Sequence, residues 1–128
     1  MTTSPPAPTS LFDRVRRMFG GAPDDGLLPA TVSAARALSL VQEGATLVDV
    51  RESSEWKSGH APRAVHIPLA QIERGAGRLP KGRPVVVVCA SGMRSRTGAK
   101  QLRGLGYDAT SVSGGMAAWQ RSGGEVRR

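Results

Sequence analysis

Apolar residues recur along this chain in two rhythms, and the alternation between them predicts the fold. Short runs rich in β-branched residues read as strands: Thr46–Val50, the brief extended piece Val65–Pro68, Pro84–Val88 and Ala109–Val112. The four consecutive valines at 85–88 suit a strand buried on both faces, because a strand with one wet face would carry polar residues at alternate positions. Between these runs the spacing turns helical. Ala34–Gln42 is a helix with Ser33 as its N-cap and Gly44 as its stop. Ser53–Ser58 forms a helical turn, Leu69–Arg74 reads weakly as helix, Ser95–Leu105 is a helix that Gly98 weakens, and Met116–Arg121 is the last helix. Strands alternating with helices predict an α/β domain built on a mostly parallel central sheet flanked by helices, with no internal repeat.

The first 26 residues follow neither rhythm. Residues 1–9 are mostly Thr, Ser and Pro and are expected to be disordered. Ser10 and Asp13 form a plausible capping box for a short amphipathic helix over 11–19, with Leu11, Val15 and Met18 on one face and Arg14, Arg16 and Arg17 nearby. Such a helix either docks on the domain or frays, which its length favours, or makes a weak contact with an acidic membrane surface or a partner. Gly20-Gly21-Ala22-Pro23 ends it and Asp24-Asp25-Gly26 reads as linker, so the folded domain is expected to span 27–128.

Composition narrows the function classes. A length of 128 residues suits one domain. No apolar run is long enough to cross a bilayer, and the N-terminus lacks the basic and apolar regions of a secretory signal. The single cysteine excludes an intramolecular disulfide and makes a reducing cytoplasm the expected compartment. With only Cys89, His60 and His66 available and no paired-ligand spacing, no metal site is expected. A net charge of +8 points to an anionic substrate or an acidic partner. Nucleic acid is disfavoured, because only 4% of residues are aromatic and no nucleic-acid-binding pattern is present.

The chemistry is expected at the end of the valine strand. There Cys89-Ala90-Ser91-Gly92-Met93-Arg94-Ser95 leads into a helix. In parallel α/β sheets ligands bind beyond the C-terminal strand ends. Gly92 lets the backbone curve tightly, and a loop of small residues can turn successive N–H groups inward as an anion nest. The helix N-terminus beyond it adds unpaired N–H groups and positive potential, and Arg94 adds a forked cation suited to oxyanions. All of these favour a thiolate over a thiol at Cys89. A cysteine after a valine run is more often an inert buried residue. The strand, the glycine loop, the arginine and the helix start together reverse that expectation.

These residues resemble the Cys-x-x-Gly-x-Arg-Ser loop of the rhodanese family. The likeness extends to Leu47-Val48-Asp49-Val50-Arg51, Glu55-Trp56, Gly59-His60, Ala64-Val65-His66-Ile67-Pro68, Gly104-Leu105-Gly106-Tyr107 and Gly114-Gly115-Met116-Ala117-Ala118-Trp119. It covers roughly Leu28 to Val126. The resemblance implies a rhodanese-like three-layer domain and a sulfurtransferase. Cys89 would take a sulfur from a small anionic donor such as thiosulfate, hold it as a persulfide, and pass it to cyanide in an assay or to a thiol or protein acceptor. No cofactor is implied. Backbone N–H groups of Ala90, Ser91, Gly92, Met93 and Ser95 would hold the sulfur's charge, and Arg94 the donor's sulfonate. Asp49 would brace the loop through hydrogen bonds, and Arg51 would pair with a nearby carboxylate.

His60 and His66 are expected to be structural, because a thiolate made by dipole and arginine needs no base, and Trp56 and Trp119 are expected to anchor the core. The chain departs from the family pattern at Arg63, where a glycine is usual. That leaves the turn's conformation open and would put an added positive charge near the pocket rim. Two other readings remain: a regulatory module using the fold to bind a protein, and more distantly a phosphatase or arsenate reductase. The latter relatives carry five residues between cysteine and arginine, usually after a histidine. Here there are four, after Val88.

Overall fold

The computed structural model describes residues 27–128. The expectations for the N-terminal helix and linker fall outside the described residues. Five strands form one sheet: β1 (Thr31–Val32), β2 (Thr46–Asp49), β3 (Val65–His66), β4 (Val85–Val88) and β5 (Ala109–Val112). Their order is β1-β5-β4-β2-β3 and every pairing is parallel. The helices are α1 (Ala34–Gln42), α2 (Ser53–Ser58), α3 (Ile72–Gly75), α4 (Met93–Gly104) and α5 (Gly115–Arg121). The α/β architecture with a parallel sheet flanked by helices is the one the alternating rhythms predict.

Strand parity divides the core in two. Side chains alternate across a strand, so Val86 and Val88 pack with Leu40 of α1 and Met116 and Trp119 of α5. Val85, Val87 and Cys89 pack with Ala99 and Leu102 of α4 and Ile72 of α3. All four valines are fully buried, each contributing about 1.5–3 kcal/mol of apolar transfer. The same parity points Cys89 toward the α4 face. A slip of one residue in β4 would turn it to the opposite layer.

Local signals account for most boundaries. Ser33 accepts a hydrogen bond from the Arg36 N–H and caps α1. Gly44 follows with φ of 112°, a conformation glycine adopts freely. Three details differ from expectation. Strand β1 was not predicted, because two residues carry no readable period; β5 holds it through Ser111 N–H to Ala30 O and Ser113 N–H to Val32 O. The expected helix over 69–74 is a 3₁₀ turn, α3 and a second 3₁₀ turn through Arg78. Helix α4 starts at Met93 rather than Ser95, because left-handed Gly92 (φ 111°) supplies the N-cap. Gly98 also has a packing role, since a Cβ there would come within 3.4 Å of Val50 and Val87.

Candidate active site

Cys89 follows directly on β4, where β2 and β5 flank the strand. Its sulfur accepts the N–H of Gly92 at 3.0 Å and the N–H of Ser95 at 3.2 Å, and lies 3.4 Å from the Ser95 hydroxyl oxygen. The chain curls because Gly92 takes a positive φ, which lets residues 91–95 fold back over the sulfur. The cysteine is fully buried, while Ala90, Ser91 and Met93 in the cover above it are exposed. Burial alone would push the thiol up. The Ser95 hydroxyl and the backbone N–H groups of Ser95, Gly92 and Ser91 outweigh it and hold the thiol below its ordinary value of 9.0.

The ring of donors is narrower than the sequence implies. Ser91, Gly92 and Ser95 reach the sulfur, but no hydrogen bond runs to it from Ala90 or Met93. The Met93 side chain instead projects outward, 72% exposed. The Ser95 hydroxyl oxygen is 3.1 Å from Gly92 O and 2.6 Å from the Ser111 hydroxyl on β5. Ser111 was not singled out in the sequence, where it is one polar residue in a short strand. Gly115 supports the loop from behind. Its φ is +62°, and a Cβ there would collide with the carbonyls of Ala90 and Cys89. The Met116 N–H completes that contact by donating to Cys89 O at 2.8 Å.

Arg94 stands in the first turn of α4, as the Cys-to-Arg spacing requires, but its partner was not anticipated. Glu55 of α2 takes both terminal nitrogens of the guanidinium, at 2.8 and 3.0 Å. Arg94 lowers the Glu55 pKa to about 2, against the opposing effect of burial, and Glu55 raises that of Arg94. Glu55 is also the N3 residue of a capping box with Glu52. The sequence shows the cap spacing. It cannot show that the same carboxylate meets an arginine 39 positions on.

Asp49 and Arg51 pair with each other, but they do not hold the cysteine loop. The Asp49 carboxylate accepts the Arg51 backbone N–H at 2.9 Å and its guanidinium at 2.8–3.1 Å. Arg51 donates onward to Gly59 O at 2.6 Å. The fully buried carboxylate therefore ties the end of β2 to the α2–β3 connection. The expectation that Asp49 fixes the loop geometry is corrected accordingly. Both histidines serve the same region. His60 Nδ1 donates to Trp56 O and His66 Nε2 to Arg51 O, each at 2.8 Å, since a carbonyl can only accept. Trp56 is half-buried rather than a core anchor. Its ring stacks on His60 at 3.5 Å and on His66 at 4.6 Å between centroids. Trp119 is in the core as expected.

The charge of Arg63 is not at the rim of this site. The residue sits in a turn closed by Ala64 N–H to Ala61 O, beside Thr46 and Arg83 at the N-terminal ends of β2 and β4. Among the described residues there is no cluster of three groups able to hold a metal ion, and no helix is long and apolar enough to cross a membrane.

Comparison with known proteins agrees with this fold. Residues 33–122 match the model of the rhodanese-like domain. The chain is 42% identical over 74 residues to the protein YtwF of Bacillus subtilis (strain 168), covering 58% of this chain and 72% of that one. It is 37% identical over 86 residues to the thiosulfate sulfurtransferase GlpE of Pseudomonas savastanoi pv. phaseolicola, covering 66% and 81%. Among solved structures, a rhodanese-related protein from Thermoplasma volcanium superimposes with a TM-score of 0.70 at 27% identity, covering 77% of this chain and 98% of that one.

Proposed function

This chain belongs to the rhodanese-like domain family, and we propose that it is a sulfurtransferase working through a persulfide on Cys89. The observation that carries the reading is the convergence of the Ser91, Gly92 and Ser95 N–H groups and the Ser95 hydroxyl on one sulfur atom. Such donors, fixed before reaction, stabilise the thiolate and the negative charge of a terminal persulfide sulfur.

In the first half-reaction the Cys89 thiolate attacks the outer sulfur of a donor such as thiosulfate. The donor's S–S bond breaks, sulfite leaves with the bonding pair, and Cys89 holds a persulfide. In the second, a nucleophile attacks the outer persulfide sulfur and the thiolate is restored. With cyanide the product is thiocyanate; a small thiol or a protein cysteine is the acceptor suited to a cell. Arg94 is the loop cation that a charged donor would meet, with the Glu55 carboxylate already on its two terminal nitrogens. The two half-reactions require no metal or dissociable cofactor, and predict ping-pong kinetics. A lone active thiol suits the reducing cytoplasm.

Incubation with thiosulfate should add one sulfur atom to Cys89 by intact mass, and cyanide should remove it as thiocyanate. A protein that takes up no sulfur and forms no thiocyanate would overturn the reading. Faster turnover of an aryl phosphate or arsenate than of thiosulfate would favour the phosphatase-like alternative. A Cys89→Ala variant with full activity in cells would favour a protein-binding module.

A further inference from the structure

Arg94 is the one full positive charge in the cysteine loop, and its fork is already engaged. Each terminal nitrogen gives a hydrogen to a Glu55 oxygen, so a sulfonate seeking the same end-on, two-pronged contact finds a carboxylate in place. Glu55 is held ready for this. Its Oε1 also accepts the Glu52 N–H at 2.9 Å, which orders the side chain within the capping box of α2. Near the sulfur the charges then sum against a dianion: the thiolate and Glu55 are negative, Arg94 is positive, and the Asp49–Arg51 pair cancels. The exposed Met93 in the cover above the sulfur offers apolar contact, which an inorganic anion cannot use and an organic tail can.

We infer that Glu55 is a specificity-determining residue: by occupying Arg94 it biases the sulfur-loading step away from dianionic oxyanion donors and toward organic persulfides. The inference rests on the sulfurtransferase reading. In the favoured step the Cys89 thiolate attacks the outer sulfur of R–S–SH, the donor's S–S bond breaks, R–S⁻ leaves with the electron pair, and the proton stays on the new Cys89 persulfide. No oxidant or reductant is needed, and no sulfonate has to be gripped. The Glu55 pKa of about 2 keeps its charge in place at any working pH.

The test compares second-order rate constants for sulfur loading onto Cys89, by rapid quench and intact mass, from thiosulfate and from hydroxyethyl persulfide. Glu55→Gln removes the charge but keeps an oxygen able to accept the Glu52 N–H, as capping boxes allow. The thiosulfate-to-persulfide ratio should rise about three-fold or more in this variant, the scale of a partly exposed ion pair. Glu55→Met, neutral and of similar reach, supplies the comparison if the Gln variant aggregates. A ratio that stays unchanged while both rates fall makes Glu55 a strut and overturns the inference. So does a falling ratio, which would mean that Glu55 aims Arg94 at the sulfonate. Loading of the wild-type protein by neither donor would instead overturn the sulfurtransferase reading beneath it.

Discussion

The two ends of the sheet both gather charged and polar groups, yet those groups are used differently. At the N-terminal end lies a cleft of about 380 Å³, lined by Leu27, Lys81, Arg83, Arg103, Tyr107 and Asp108 among others. Its groups largely serve the fold itself. Arg103 donates to Ala109 O, the Tyr107 hydroxyl to Ala76 O, and Asp108 accepts the Leu28 N–H. At the C-terminal end, the N–H groups of Ser91, Gly92 and Ser95 close on a sulfur atom instead. The contrast teaches that neither volume nor charge makes the candidate site. What does is a set of donors whose partner is a potential nucleophile.

Cysteine removal tests that contrast hardest. Cys89→Ala should lower sulfur uptake by about 1,000-fold or more, as for other single nucleophiles. It should also cost about 1–3 kcal/mol of stability, because the Gly92 and Ser95 N–H groups lose their acceptor. Retained turnover would place the chemistry elsewhere.

Next come the glycines behind each end. Gly115→Ala drives a methyl into the Ala90 and Cys89 carbonyls and should cost about 3 kcal/mol in urea unfolding, combining overpacking with an unfavourable φ. Gly106→Ala, near the N-terminal cleft, has φ of +99° but open space around it. It should cost about 1 kcal/mol, the backbone contribution alone. Equal losses would dissolve the distinction between the ends.

A smaller effect is expected at Ser95. Alkylation of Cys89 by iodoacetamide should rise with pH and level off above an apparent pKa below 9.0. Ser95→Ala removes the largest of the influences that lower that pKa, so the curve should move to higher pH and the rate at pH 7 should fall about three- to ten-fold. An unmoved curve would show that the backbone amides suffice. Glu55 adds a stability check. Its pKa is depressed from 4.5 to about 2, so the Arg94 pair stabilises the fold above pH 4.5 and that contribution is lost as pH falls toward 2. Thermal midpoints of Glu55→Gln should therefore show a shallower acid decline than wild type. The smallest change should come from the N-terminal cleft, where Lys81→Ala and Arg83→Ala should alter sulfur loading less than about two-fold, as expected for distant surface charges.

Much of this was legible in the chain. The valine run and the helices around it announced the parallel sheet, and Gly92 announced the tight curl of the loop over Cys89. What stayed hidden depends on contacts between distant positions. Strand β1 is two residues held by β5. Asp49 binds Arg51 and the Gly59 connection rather than the loop. Arg63, counted toward the site by its place in a motif, lies at the other end of the sheet.

By itself the sequence determined the period of the longer elements, the strand end that carries Cys89, and the glycine that bends the loop. These follow from backbone sterics and side-chain alternation, which act between near neighbours. Only the tertiary structure decided that Glu55 holds Arg94, that Ser111 supports Ser95, and that Gly115 backs the loop. Hydrogen bonds and van der Waals contacts act over a few ångströms, so partners tens of residues apart are chosen only when packing brings them together.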